Sequence, residues 1–200
     1  MCKLFTKTIF YLFVSISLNA CADRKQAEPE IYLIPEGYVG SFYVVFDIPT
    51  GRKPEYEDKF RVYRIPASGV LQSRFSFNEG WLASTDIKYF FINKNGKRTP
   101  ITHRWLGSLP DTPENRHDPK IYIFSGGVGT LGLGMSNDKN KCTISFSSFI
   151  VATKPRILEG IQTVELSSFF NKKPFPCQKN YQAPSDHANK RKHGVLNGSR

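Results

Sequence analysis

The sequence lacks the short motifs that mark common catalytic and metal sites. It contains no H-E-x-x-H, no C-x-x-C, no G-x-S-x-G and no EF-hand spacing of acidic residues. These absences exclude the zinc-protease helix, the paired-cysteine metal site, the nucleophile elbow of α/β-hydrolases and the EF-hand calcium loop. The histidines fall in none of these patterns; they are His103, His117, His187 and His193. We therefore expect a protein that is not an enzyme and that holds no cofactor and no metal.

Long hydrophobic runs are scarce as well. The most apolar stretch, residues 9–18, is interrupted by two serines and is too short to span with ease the roughly 30 Å hydrocarbon core of a membrane. Lys3 and Lys7 precede it, and small residues follow it. Positive, apolar and small-residue segments in this order are typical of a secretory signal peptide, which we place at residues 1–20.

The residues after the apolar run predict a lipid anchor. The stretch L-N-A-C that ends at Cys21 resembles the bacterial lipobox, in which the cysteine receives palmitate-type acyl chains and becomes the new N-terminus. Cys21 would then hold an exported protein at a bacterial membrane, on its periplasmic or extracellular face. Two alternatives remain open. Ordinary signal peptidase would cut after Ala22 and release a soluble protein, and a signal-anchor helix would be retained.

Acidic residues are in short supply. The 28 lysines and arginines outnumber 17 acidic residues, which gives a net charge of +11 and an isoelectric point near 9.6. Removal of residues 1–20 takes away two lysines and no acid, so the exported chain would carry +9. Such a charge suits an anionic polymer or lipid of the envelope, or an envelope protein, as partner. Because the chain is expected to be exported, we expect no nucleic acid as partner.

Cysteine is scarce, with four in the chain. Cys2 lies in the signal peptide and Cys21 at the lipidation site, which leaves Cys142 and Cys177. In an oxidising compartment these two are expected to form a disulfide that closes a 36-residue loop. Such a closure stabilises a fold by about 4 kcal/mol in the chain-entropy model. The alternative is a pair of thiols too far apart to join.

Aromatic and β-branched residues, in contrast, are plentiful. The 16 phenylalanines and 9 tyrosines often occur in short runs with Val, Ile, Ser or Thr, which favours strands. Turn signals separate the runs, and Asn95 followed by Gly96 is typical of a β-hairpin. Because strands do not alternate with helices, we predict a mainly β fold, a single antiparallel β-sandwich-like domain at residues 31–177. The predicted strands are residues 41–48, 60–65, 87–93, 120–124 and 142–151.

The remaining segments are expected to form a tether, a loop, a short helix and a tail. Polar residues 21–30 predict a flexible tether, and residues 109–119, with three prolines, predict a long loop. Residues 155–170 combine helical spacing with an internal glycine, so a short C-terminal helix is favoured slightly over a strand. The basic residues 178–200 predict a disordered tail.

Two patterns that resemble functional motifs are better explained by structure. Residues 125–134 match G-x-G-x-x-G, but no helix pattern follows, so a connection or an irregular edge strand is expected rather than a phosphate loop. Acidic residues cluster in two turn-rich segments with basic neighbours, which favours solvated loops over paired catalytic carboxyl groups. The clusters are Glu55, Glu57 and Asp58, and Asp111, Glu114 and Asp118.

A set of short motifs connects the chain to a known family. The segments IYLIPEGYVG (31–40), YRIPASGVL (63–71), KYFFIN (88–93) and FIVATK (149–154) occur in this order. They resemble small bacterial lipoproteins that carry a domain of unknown function, which opens with I-P-x-G-Y-x-G. The resemblance spans residues 31–154 and departs from the family at Ala152, where members often have glycine. It implies an exported, lipid-anchored β-rich domain and brings no catalytic residues.

We therefore expect an envelope lipoprotein whose domain is a non-catalytic binding or scaffolding module. Two other functions remain open. One is a hydrolase of cell-envelope polymers that uses Asp111 or Glu114, which requires a cleft with one carboxyl group of raised pKa. The other is an immunity or inhibitor lipoprotein that blocks a partner's active site with residues 109–119.

Overall fold

Two five-stranded sheets form most of the molecule. The computed structural model describes residues 25–105, 107, 109–133, 142–161, 163 and 165–171. Over these residues the fold is mainly β, as the aromatic and β-branched composition predicted, with a few short helices. The sheets pack face to face in a β-sandwich-like arrangement. In this part of the chain no helix is long and apolar enough to cross a membrane.

The strands are short except for the last two. They are β1 (Glu30–Pro35), β2 (Gly40–Val45), β3 (Tyr56–Glu57), β4 (Phe60–Arg64), β5 (Val70–Gln72), β6 (Ile87–Ile92), β7 (Arg98–Pro100), β8 (Thr102–Trp105), β9 (Ile121–Leu133) and β10 (Cys142–Thr153). The α-helices are α1 (Pro113–Arg116), α2 (Lys154–Leu158) and α3 (Leu166–Asn171), and a 3-10 helix lies at Ser84–Asp86.

Both sheets are mixed. Sheet 1 has the order β3-β4-β1-β6-β7, and sheet 2 has the order β5-β2-β10-β9-β8. β1 is parallel to β4 and β6, β2 is parallel to β5, and β8 is parallel to β9. Among the described strands, the antiparallel pairing predicted for the sandwich holds for four strand pairs, and the other four are parallel. The physical reason is that connections cross between the sheets, so that strands adjacent in sequence, such as β1 and β2, are not neighbours in a sheet.

The turn between β1 and β2 carries the chain from sheet 1 to sheet 2. Gly37 has φ 76° and Gly40 has φ 133°, both in a region that residues with a Cβ rarely adopt. The Tyr38 N–H donates a hydrogen bond to the Pro35 carbonyl at 3.0 Å. The P-E-G-Y-V-G stretch is thus the link between the two layers of the sandwich.

The core between the sheets is rich in aromatic rings. Tyr32 of β1 packs across the interface on Phe149, with ring centroids 4.8 Å apart, and on Phe42 at 6.2 Å. On the opposite face of β1, Ile31 and Leu33 belong to a second buried cluster. Because β1 is buried on both faces, its sequence is a continuous apolar run rather than an alternating one.

The structure refines the predictions for the C-terminal half. β9 continues through the glycine-rich segment, but β8 covers it only as far as Ser125, so residues 126–133 form a sheet edge. The edge-strand interpretation is therefore confirmed. Residues 155–170 form two short helices instead of one, because Gly160 at φ 87° follows α2 and adopts a conformation that ends helices.

The tether expectation is wrong for its last residues. Gln26 forms a β-bridge with Trp81, Ala27 is buried, and Glu30 already belongs to β1. Backbone groups make the contacts with Trp81, so the polar side chains of this segment gave no sign of them. Residues 25–30 are therefore part of the folded unit.

Several predictions concern residues outside the described part of the chain. They are the signal peptide at residues 1–20, the lipidated Cys21, the basic tail at residues 178–200, and Cys177. Cys142 is the first residue of β10 and pairs with Leu133 through the backbone. The Cys142–Cys177 disulfide stays a prediction.

Candidate functional site

A cleft of about 420 Å³ opens between the two sheets, at the end of the sandwich where β1 and β6 begin and β8 ends. β1 and β6 supply one wall from sheet 1, and β8, β9 and β10 supply the other wall from sheet 2. The segment between β5 and β6 closes one side, with Phe77, Asn78 and Leu82. A volume of this size is within the range of natural small-ligand sites.

Three aromatic rings form the inner walls. The ring centroids of Tyr32 and Tyr89 are 5.1 Å apart in a stacked arrangement, and Phe149 lies 4.8 Å from Tyr32 and 5.8 Å from Tyr89. All three rings belong to the buried core, so they close the inside of the cleft with apolar surface.

The mouth of the cleft carries exposed apolar side chains. Trp105 is 65% exposed and Val128 is 69% exposed, and both line the cleft. Trp81, which follows the lining residue Gly80, is 57% exposed. We call Trp81, Trp105 and Val128 the apolar rim. The pairing register of β9 with β10 shifts at Gly126, two residues before Val128. This irregularity helps to place Val128 at the mouth of the cleft.

A buried carboxyl group, Glu30, lines the cleft at the first position of β1. Its carboxylate accepts hydrogen bonds from Tyr32 Oη at 2.7 Å, Tyr63 Oη at 3.3 Å and Asn78 Nδ2 at 2.8 Å. Burial raises the pKa of Glu30, and these three donors and the charge of Arg61 offset part of that rise. Burial and the nearby Glu30 charge in turn raise the pKa of Tyr32 and Tyr63.

A serine and a histidine meet in the sheet 2 wall. His103 Nε2 lies 2.5 Å from Ser125 Oγ, and the imidazole stacks on Tyr89 with centroids 5.6 Å apart. The Trp105 and His103 rings meet nearly at right angles, with centroids 5.2 Å apart. Burial lowers the pKa of His103, which favours the neutral imidazole at neutral pH. The pair therefore holds Ser125 at the cleft wall, where its hydroxyl lies among the lining groups.

The first predicted acidic cluster lies away from the cleft. Glu55 pairs with Arg64 at 2.6 Å, and Glu57 pairs with Arg98 at 2.7 Å. Asp58 has φ 53° in the turn between β3 and β4. These side chains are exposed, as expected for solvated groups, although Glu57 belongs to β3 rather than to a loop.

The second cluster also serves surface contacts. Asp111 pairs with Arg116 at 2.5 Å, and Asp118 pairs with Lys154 at 2.8 Å. Glu114 lies in the first turn of α1, and its pKa is lowered by a backbone hydrogen bond and by the Thr112 hydroxyl. The predicted long loop at residues 109–119 thus contains a short helix. None of the cluster's carboxyl groups is among the groups that line the cleft.

The remaining histidines divide between described and undescribed regions. His117 follows α1 and its Nδ1 lies 2.6 Å from the Pro113 carbonyl oxygen, and His187 and His193 lie outside the described residues. Within the described ranges, no group of three or more His, Cys, Asp or Glu side chains is placed to hold a metal ion.

Sequence reasoning missed the residues that build the cleft. Glu30 belongs to the predicted tether, but its place directly before a continuous apolar run was a signal that it could be part of the fold. Trp81 and Trp105 are the two tryptophans of the chain, and both lie between predicted strands. The position of each beside the cleft depends on the sheet order, which local sequence patterns do not encode.

Comparisons with known proteins give a family without an assigned activity. No curated protein matches the chain. A crystal structure titled "Putative Lipoprotein from Bacillus anthracis" is 21% identical, covers 72% of this chain and 89% of its own, and has a TM-score of 0.45. The model of a family of unknown function, DUF6843, matches residues 26–155. This range agrees with the span of the resemblance, and its start agrees with the finding that residues 25–30 are part of the folded unit. The chain belongs to the DUF6843 family.

Proposed function

We propose that the protein is an exported lipoprotein, anchored through Cys21, whose β-sandwich binds a compact ligand in the cleft between the sheets without catalysing a reaction. The observation that supports this most is the cleft itself, because stacked aromatic walls surround a small number of polar groups. Natural binding sites for small molecules have this composition.

The lining defines the chemistry of the ligand. A flat apolar or aromatic part would pack on Tyr89 and Phe149, which already contact each other. A hydrogen-bond donor on the ligand would reach Glu30, since a carboxylate accepts about four hydrogen bonds and three donors are in place. Ser125 and Ser147 add hydroxyl groups to the lining.

The polar groups of the cleft suit binding better than hydrolysis. Glycoside hydrolysis by carboxyl groups generally uses two of them, and Glu30 is the carboxyl group of the cleft lining in the described residues. A catalytic serine–histidine pair generally has a third group that orients the imidazole, whereas the contacts of His103 are with Ser125, Tyr89 and Trp105. Asp111 and Glu114 lie on the exposed segment around α1.

The anchoring half of the proposal is tested by the intact mass of the unreduced mature protein purified from membranes. We expect a chain that begins at Cys21 and carries two or three acyl chains. A further loss of two hydrogens would show the Cys142–Cys177 disulfide. A mature chain that begins at Asp23 without acyl groups would contradict the anchor.

The binding half is tested with a neutral aromatic probe, N-phenyl-1-naphthylamine, whose fluorescence rises in apolar sites. We expect saturable binding to the wild-type protein and its loss in Leu82→Arg, which places a charged side chain in the lining. Val39→Arg is the matched control, because Val39 lies in the turn beyond the other end of β1. Equal binding by all three proteins would contradict a binding role for the cleft.

A further inference from the structure

Lys25 and Ala27 contact the segment that runs past the mouth of the cleft. The Trp81 N–H donates to the Lys25 carbonyl at 2.9 Å, and the Ala27 N–H donates to the Trp81 carbonyl at 3.1 Å. Lys25 Nζ also pairs with Glu79 at 3.0 Å. The N-terminal segment is thus fixed to the same stretch that supplies Trp81 to the apolar rim.

The position of Lys25 limits the distance between the rim and the lipid anchor. Three residues lie between Cys21 and Lys25, so the two positions are four Cα-to-Cα steps apart along the chain. At about 3.5 Å per residue, a fully extended chain of this length reaches at most about 14 Å. If Cys21 is acylated, as the proposed function states, this end of the sandwich cannot move far from the bilayer surface.

The apolar rim has the composition of a membrane-interface surface. Both tryptophans of the chain belong to it, and the third member, Val128, is the most exposed large hydrophobic residue of the described part. Tryptophan rings prefer the headgroup region of a bilayer, because one part of the indole is apolar and the N–H is polar. The net charge of +9 expected after processing favours contact with anionic lipid.

The other end of the sandwich is different. β1 runs from Glu30 at the cleft to Pro35, a distance of about 17 Å for a strand of this length. Val39 lies in the turn beyond Pro35 and is 41% exposed. The two ends therefore provide separate positions for a fluorescent reporter.

From the backbone contact between Lys25 and Trp81, the short chain length between Lys25 and Cys21 and the two exposed tryptophans, we propose that the apolar rim docks on the lipid bilayer. This inference rests on the proposed anchoring at Cys21. Trp81, Trp105 and Val128 insert into the headgroup region, and the mouth of the cleft faces the membrane. A ligand of the cleft then enters from the membrane side.

Intrinsic tryptophan fluorescence tests this docking without a foreign label. The acylated mature protein is reconstituted into phosphatidylethanolamine and phosphatidylglycerol vesicles, with or without bromine on the upper acyl chain. Flotation of the vesicles reports anchoring separately. We expect a loss of tryptophan emission in the brominated vesicles and protection from aqueous iodide. Trp81→Phe and Trp105→Phe each leave one reporter, and both single variants should still be quenched by bromine.

The control reporter is placed at the far end. A variant with Trp81→Phe, Trp105→Phe and Val39→Trp should float with the vesicles, stay unquenched by bromine and remain accessible to iodide. Quenching of this variant to the wild-type extent would overturn the proposed orientation.

The other outcomes also decide the proposal. Wild-type protein that floats, escapes bromine quenching and is quenched by iodide refutes docking while leaving the anchor in place. Protection from both quenchers means that protein, such as a second copy, covers the rim, which also refutes lipid docking. Protein that does not float contradicts the anchor and removes the basis of the inference.

Discussion

Gly80→Ala should detach the N-terminal segment from the mouth of the cleft. A Cβ at position 80 would lie 2.5 Å from the Lys25 carbonyl oxygen and 2.7 Å from the Ala27 nitrogen. Both neighbours are backbone atoms, so the segment must move. The two hydrogen bonds between this segment and Trp81 would then be lost. Gly80 also has φ 129°, which a residue with a Cβ rarely adopts.

Gly40→Ala is the matched control for this prediction. Gly40 has φ 133°, close to that of Gly80, but a Cβ there would meet nothing within 4 Å. Strain from the backbone conformation is therefore similar in both variants. Two backbone hydrogen bonds contribute about 0.5–1.5 kcal/mol each, so Gly80→Ala should lower the free energy of unfolding by about 1–3 kcal/mol more than Gly40→Ala.

The comparison is made by urea denaturation followed by circular dichroism, together with hydrogen exchange of the Trp81 and Ala27 amides. Gly80→Ala should speed the exchange of both amides, whereas Gly40→Ala should leave them unchanged. Equal destabilisation by the two variants, with unaltered exchange at these amides, would refute the claim that close approach at Gly80 holds the segment.

Three further predictions concern ionisable groups and the disulfide. Because burial raises the pKa of Glu30, its contribution to stability is present below the unfolded value of 4.5 and is lost as pH rises through the raised value. Glu30→Gln should therefore remove this pH dependence from the free energy of unfolding, measured by urea titration between pH 4 and pH 8. The same dependence of this free energy on pH in both proteins would contradict the prediction. Hydrogen bonds from Lys154, the Lys120 amide and Tyr122 lower the pKa of Asp118 to about 2. The stability lost in Asp118→Asn should therefore be present above pH 4 and disappear as pH falls towards 2. A difference that stays constant over this range would argue against these contacts. If the disulfide forms, Cys142→Ser and Cys177→Ser should each lower the free energy of unfolding by about 4 kcal/mol, and the double variant should show no additional loss. Small losses that add up in the double variant would indicate free thiols.

Local sequence patterns predicted the strands well because strand formation depends on side-chain type and period. Residues 142–151 form most of β10, as their composition predicted. The burial does not follow the apolar and polar alternation, because Ser145 and Ser147 are buried as well as Ile144, while Phe146 is half-buried. Asn95 and Gly96 occupy the turn between β6 and β7, which pair antiparallel. Both features need information only from residues close together in the chain.

Sheet order and the cleft depended on distant contacts, so they were not predictable in this way. Short turns indicate a reversal of direction, but they do not show whether the next strand joins the same sheet, as β1 and β2 demonstrate. The approach of Lys25 to Trp81 joins residues far apart in sequence through backbone atoms. The polar neighbours of Glu30 in sequence predict a tether, because its partners Tyr63 and Asn78 come from later segments of the chain.

The claim that the cleft is the ligand site of this protein is tested most directly by native mass spectrometry of the mature protein, purified from its own membranes in mild detergent. The account predicts a bound small molecule on the wild-type protein and on Val39→Arg, and its absence from Leu82→Arg with the fold retained by circular dichroism. A bound molecule that persists equally in Leu82→Arg, or spectra without any adduct in all three proteins, would contradict the account.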